Sequence, residues 1–198
     1  MKSNKIAKVI LLGDSSVGKT ALIRRITQNV FYFNNLSTLG INCFTKFHIN
    51  EEKSLRIRID FWDTVGHERY RSVTPHQILG ANIIIFCAQN EDTFQSIKNF
   101  WYKECEIILQ QSNYLKILVK TKSDIRLEND ENLIEEMKEY SKTIGAMFFE
   151  TSALANINID SLFNYICIQS ESLNLKDDTI YLNRKEKEGE GEGKRCIC

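Results

Sequence analysis

Apolar and polar positions follow two periods along this chain, and the change from one to the other marks its elements. KIAKVILLG (5–13) is an almost unbroken apolar run, the pattern of a strand covered on both faces, and the amphipathic KTALIRRITQ (19–28) reads as a helix after it. NCFTKFHIN (42–50) and SLRIRIDFW (54–62) flank the polar Glu51-Glu52-Lys53 and predict a hairpin. In its second arm Leu55, Ile57, Ile59 and Phe61 alternate with Ser54, Arg56, Arg58 and Asp60, the period of a half-buried strand. ANIIIFCA (81–88) predicts a strand buried on both faces, and DTFQSIKNFWYKECEIILQ (92–110) has helical periodicity. KILVKT (116–121) reads as a strand, 131–144 as a helix, MFFET (147–151) as a strand and 159–170 as a helix. Such alternation with one antiparallel pair predicts an α/β fold: a six-stranded, mostly parallel sheet with one antiparallel edge strand and helices on both faces. No internal repeat occurs. The apolar pattern stops near Ser172, and RKEKEGEGEGKR (184–195) has the composition of a solvated linker. The expected organisation is one domain over 1–172 and a flexible tail over 173–198.

Composition narrows the function classes. Basic and acidic residues number 26 each, so no global field draws the chain to nucleic acid. The apolar run Val9–Leu12 is too short for a signal peptide or a membrane span, which predicts a cytosolic chain. Cys43, Cys87, Cys105 and Cys167 lie singly in apolar segments without metal-ligand spacing and read as small buried hydrophobes. Cys196 and Cys198 end the chain instead.

The first chemical motif is GDSSVGKT (13–20), a fit to G-x-x-x-x-G-K-[ST] between a buried strand and a helix. Gly13 and Gly18 permit the tight backbone that points successive N–H groups at phosphate oxygens at a helix N-terminus. The candidate phosphate-contacting stretch is Gly13, Ser15, Ser16, Val17, Gly18, Lys19, Thr20 and Ala21. Lys19 is expected to reach the β- and γ-phosphates, and the Thr20 hydroxyl to ligate Mg²⁺.

TKSD (121–124) ends a strand of an open α/β sheet, where such sheets present their ligand crevice. Asp124 can accept two hydrogen bonds, from N1–H and the exocyclic amine of guanine, whereas adenine has no donor at N1. Lys122 can lay its stem along the base. ETSA (150–153), after the next strand, is expected to offer a backbone N–H to the guanine oxygen through Ser152 and Ala153.

With GDSSVGKT, STLG, WDTVGHE, TKSD and TSA in this order, the chain resembles a small GTPase of the Ras superfamily over about residues 5–170, which implies the P-loop NTPase fold. Its WDT-x-G-x-ERY frame (62–70) and terminal Cys-x-Cys make it similar to the Rab family, as a divergent member. The resemblance implies that Thr38 binds Mg²⁺ and senses the γ-phosphate, that Phe31 stacks edge-on against guanine, that Asp63 holds Mg²⁺ through water, and that the Gly66 N–H contacts the γ-phosphate. Thr121 stands where the family usually has Asn, as in Rac-like members, and Leu154 where it usually has Lys. A Rab-type aromatic triad would use Phe44, Trp62 and an aromatic at 77, but position 77 is Gln, so the effector surface is altered.

His67 stands where the family has the glutamine that positions the attacking water, and Val65 replaces a usual alanine. A neutral imidazole also offers one donor and one acceptor, but on a rigid ring with diverging vectors. Phosphoryl transfer depends on positioning, so His67 reads as a poor substitute and hydrolysis as slow. The competing readings are a proficient general base and an exposed residue with no role. Family GAPs of the TBC type are thought to donate both an arginine and a glutamine.

In the Rab context Cys196 and Cys198 resemble geranylgeranyl acceptors, and two lipids give stable anchoring where one does not. The linker 184–195 holds five basic and four acidic residues, a net of +1, so the lipids must carry attachment. The resemblance therefore implies a monomeric guanine-nucleotide switch for vesicle trafficking, binding GTP or GDP with Mg²⁺. It implies a place on the cytoplasmic face of an endomembrane or the plasma membrane, with a cytosolic pool. Its implied partners are a GDP-dissociation inhibitor, an escort protein, an exchange factor, a TBC-type GAP and effectors. The alternative is a non-hydrolysing, GTP-bound adaptor. An ATP-using P-loop kinase would need an acceptor site and lid arginines, neither of which the sequence offers.

Overall fold

The computed structural model describes residues 3–33, 42–64, 74–110, 113–126 and 130–178. Six of the seven strands of the sheet lie in the order β2-β3-β1-β4-β5-β6. They are β1 (Ser3–Leu12), β2 (Asn42–Asn50), β3 (Leu55–Asp63), β4 (Ile83–Ala88), β5 (Leu115–Lys120) and β6 (Met147–Glu150). All neighbours in this row are parallel except β2 and β3, the edge hairpin that the polar Glu51-Glu52-Lys53 predicted. β4 is buried at every position, as its unbroken apolar run requires.

Helices cover both faces. α1 (Lys19–Gln28) and α6 (Ile159–Ser172) cover one, where Leu22, Ile23, Ile26, Leu162 and Ile166 pack on Val9, Leu11, Ile57, Ile59 and Phe61. The other face carries α2 (Thr74–Ile78), α3 (Glu91–Ser96), α4 (Tyr102–Leu109) and α5 (Asp130–Thr143), packed on Ile10, Leu12, Ile84, Phe86 and Leu118. α3 and α4 are joined by a π-helical turn, Ile97–Trp101, in which the Tyr102 N–H bonds back to the Ile97 carbonyl. The predicted helix over 92–110 is thus continuous but widened at its centre.

Three expectations change. The packing does not stop at Ser172: Leu175 is buried, and Lys176–Asp177 forms a short strand, β7, antiparallel to Lys5 and Ile6 of β1. Asp178 is buried as well, 2.7 Å from Arg58 Nη1, so the start of the expected tail is pinned to the sheet. β4 pairs with β1 only from Val9 onward, which leaves the N-terminal half of that edge for β7. Second, Cys43 is exposed, not a buried hydrophobe, while Cys87, Cys105 and Cys167 are buried. Third, the expected grouping of Phe44 with Trp62 fails by one residue of register. Phe44 pairs with Phe61 and packs on the α1–α6 side, whereas Cys43 pairs with Trp62, which packs on the opposite side. Side chains on a strand alternate, so a slip of one position exchanges the faces. Cys43 therefore shares the face of Trp62. Gln77 is buried in α2.

Candidate functional site

The candidate residues within the described chain gather at the C-terminal ends of β1, β3, β5 and β6. Leaving β1, the chain passes Gly13 at φ 145°, Ser16 at φ 63° and Gly18 at φ 102° before α1 begins. Gly13 tolerates no side chain, since a Cβ there would lie 2.3 Å from the Cys87 carbonyl oxygen. The loop thus wraps tightly onto the N-terminus of α1, whose first N–H groups lack helical partners and carry the positive end of its dipole. Within it the Lys19 ammonium is buried and bonds to the carbonyls of Gly13 (2.8 Å) and Asp14 (2.7 Å). Burial pulls the Lys19 pKa down, and Cys87, Asp63 and Asp14 offset part of that. A buried cation at a helix N-terminus is electrostatically suited to an anion.

Beside it, the Thr20 hydroxyl donates to Asp63 Oδ2 at 2.8 Å, and Asp63 is fully buried at the end of β3. Thr64 anchors that end by donating to the Leu11 carbonyl at 2.6 Å. A hydroxyl and a carboxylate side by side are the oxygen donors that Mg²⁺ takes when waters and phosphates complete its shell. Among the described residues no cluster of three or more His, Cys, Asp or Glu side chains could hold a metal. These donors fit Mg²⁺ as a companion of phosphate.

The base-reading candidates lie next to the loop. The Thr121 hydroxyl is 2.5 Å from the Val17 carbonyl and 3.1 Å from that of Ala88, so it ties this segment to the phosphate loop. Lys122 adopts φ 55°, and its stem runs 3.7 Å from where a Gly18 Cβ would stand. Burial lowers the Lys122 pKa, partly offset by Asp124. Asp124 is exposed, and its Oδ1 accepts a 2.5 Å hydrogen bond from the fully buried Ser152. Ser152 Oγ in turn accepts from the Ala155 N–H at 2.9 Å. TKSD and ETSA, distant in sequence, are therefore held by one hydrogen-bonded unit. Phe31 stands edge-on to Phe33, with ring centroids 5.3 Å apart. Thr38, Val65, Gly66, His67, Cys196 and Cys198 lie outside the described residues.

Sequence reasoning passed over several residues around this site. Arg25 Nε donates to the Ala153 carbonyl at 2.7 Å and so braces the ETSA turn from α1. Lys120 is a fully buried lysine next to TKSD, with Nζ 2.8 and 3.0 Å from the two carboxylate oxygens of Asp130. A charge at the end of the apolar run KILVK was a visible signal for it. Trp101, in the π turn, donates its indole N–H to Asp14 Oδ1 at 2.9 Å.

A glycine-bounded loop between a central parallel strand and a helix, with a buried lysine, and a Thr–Asp pair beside it defines a phosphate-loop nucleotide-binding protein. The Ras family model matches residues 8–172. The chain is 34% identical over 172 residues to the Ras-related protein RABA4b of Arabidopsis thaliana, covering 85% of this chain and 74% of that one. It is 35% identical over 163 residues to Rab-21 of Mus musculus, covering 81% and 71%. Against Rab11A of Lotus japonicus it is 33% identical over 167 residues, covering 83% and 72%. The chain belongs to the Ras family of small GTPases, in its Rab branch. It is thus a guanine-nucleotide switch of the trafficking type, a class served by exchange factors, GAPs, GDP-dissociation inhibitors and effectors. No helix among the described residues is long and apolar enough to cross a membrane.

Proposed function

We propose that this chain is a Rab-type switch that binds Mg·GTP and Mg·GDP, hydrolyses GTP slowly by itself, and is held on membranes by lipids on Cys196 and Cys198. The observation that carries the nucleotide reading is the joint between Asp124 and Ser152, which orients a carboxylate on the segment that Thr121 ties to the phosphate loop. In this reading Gly13, Ser15, Ser16, Val17, Gly18 and Ala21 surround the phosphates with backbone N–H groups, and Lys19 moves from the loop carbonyls onto the β- and γ-phosphates. Thr20, Thr38 and Asp63 would hold Mg²⁺, which offsets phosphate charge when bound. Asp124 reads guanine, Lys122 and Phe31 flank it, Thr121 ties the two loops, and Ser152 and Ala153 close the base side.

His67 and the Gly66 N–H would face the γ-phosphate and the attacking water. An imidazole there aligns water poorly, so turnover depends on a GAP that brings its own polar groups. The test is single-turnover phosphate release from bound GTP, with and without a TBC-type GAP. Replacing His67→Gln together with Val65→Ala is expected to raise the intrinsic rate roughly tenfold, about 1.4 kcal/mol of barrier. An unchanged rate with a flat pH profile would make His67 a spectator. Full GAP-independent inertness would favour the adaptor reading.

A further inference from the structure

Asp14 places a carboxylate in a loop built for an anion, next to the lysine that must serve that anion. Its backbone carbonyl accepts from Lys19 Nζ at 2.7 Å, and the Asp14 charge acts on the Lys19 ammonium, drawing its pKa up against the larger effect of burial. A carboxylate free to rotate there would repel phosphate and compete with it for Lys19. The structure shows what restrains it: the indole N–H of Trp101 donates to Asp14 Oδ1 at 2.9 Å. Trp101 is 1% exposed, so its ring has no freedom to follow a moving partner. Phe100 stands edge-on to it at 5.0 Å between centroids. The ring projects from the π turn Ile97–Trp101, a departure from α geometry that recurs at functional sites.

We propose that Trp101 is a positioning residue of the phosphate site, whose indole N–H holds the Asp14 carboxylate aside and leaves Lys19 to the nucleotide. The inference rests on the nucleotide reading above and extends it to a residue on the far side of the sheet from α1. A hydrogen bond from a rigid, desolvated donor to a charged acceptor is stronger than a neutral one. It also spreads part of the negative charge onto the indole. Helix α3–α4 thereby becomes part of the phosphate site without touching ligand.

The test uses the full chain and a fluorescent GDP analogue with Mg²⁺, measuring release on chase with unlabelled GDP. Trp101→Phe, which keeps an aromatic core but removes the donor, is expected to speed release roughly tenfold. Adding Asp14→Asn should restore slow release to within about threefold of wild type, because the loose group is then uncharged. If Trp101 only fills the core, the second substitution rescues nothing, and that result overturns the proposal. A benzothienyl-alanine at position 101 replaces the N–H by sulfur at the same shape, so it tests the donor even where Trp101→Phe fails to fold. Wild-type release rates in that variant would also overturn the proposal. A wild-type protein that binds no guanine nucleotide removes the reading beneath it; tight binding matched by Trp101→Phe removes this inference alone.

Discussion

Lys120 offers the sharpest stability test. It is the last residue of β5, fully buried, and its ammonium straddles both carboxylate oxygens of Asp130 at 2.8 and 3.0 Å. The pair closes the segment that carries Thr121, Lys122 and Asp124, since Asp130 begins α5. Lys120→Met keeps the length and apolar stem but leaves the Asp130 carboxylate without its cation. Breaking one side of a buried pair costs about 3–5 kcal/mol. The Asp130 side chain keeps 15% exposure, so the lower end, about 3 kcal/mol, is the expected loss. For a domain of this size that is a fall in Tm of about 6–12 °C. Lys120→Met with Asp130→Leu removes both charges and is expected to recover most of the loss, because neither ion then pays desolvation. The assay is urea unfolding followed by circular dichroism at fixed, saturating GDP and Mg²⁺, since ligand bound to the native state adds to apparent stability. A single-variant loss below about 1 kcal/mol would mean that the pair behaves as a solvated surface contact, and would refute the argument. So would a double variant as unstable as the single one.

Asp124→Asn should shift preference from guanine to xanthine nucleotides, because the amide donates where guanine also donates; competition binding with XDP and GDP checks this, and unchanged guanine selectivity would remove TKSD from the base site. Glu171 accepts from Lys53, Asn50 and His48, and these bonds hold its carboxyl at a pKa of about 2, against an ordinary 4.5. A depressed carboxylate pKa stabilises the fold above the ordinary value, and that contribution is lost as pH falls from about 4.5 through about 2; Glu171→Gln should flatten this limb of an acid-unfolding curve, and an unaltered limb would contradict it. Cys196→Ser with Cys198→Ser should leave the protein in the cytosolic fraction after fractionation, because the linker's net charge of +1 is too small to hold it on a membrane; a double variant still firmly membrane-bound would point to another anchor.

Much of this protein was legible along the chain because the signals were local. The unbroken apolar run before GDSSVGKT, the alternation from Leu55 to Phe61 and the polar Glu51-Glu52-Lys53 each specify backbone within a few residues. Together they give the order of strands and helices and the position of the phosphate loop. Other features depend on partners far away in sequence. Whether Cys43 or Phe44 shares the face of Trp62 was settled by the pairing of β2 on β3, where one residue of register exchanges the two sides. That residues past Ser172 pack at all was decided by an open half-edge on β1 and by Arg58 meeting Asp178. Asp14 has no evident role within its own motif until Trp101 arrives from another element, and Lys120 is only a charge ending an apolar run until α5 brings Asp130 to it. Periodicity reports which way a side chain points relative to its own backbone. What it meets there is set by how the strands and helices assemble, and in this protein that assembly decides how the charges around the phosphate and base sites are paired.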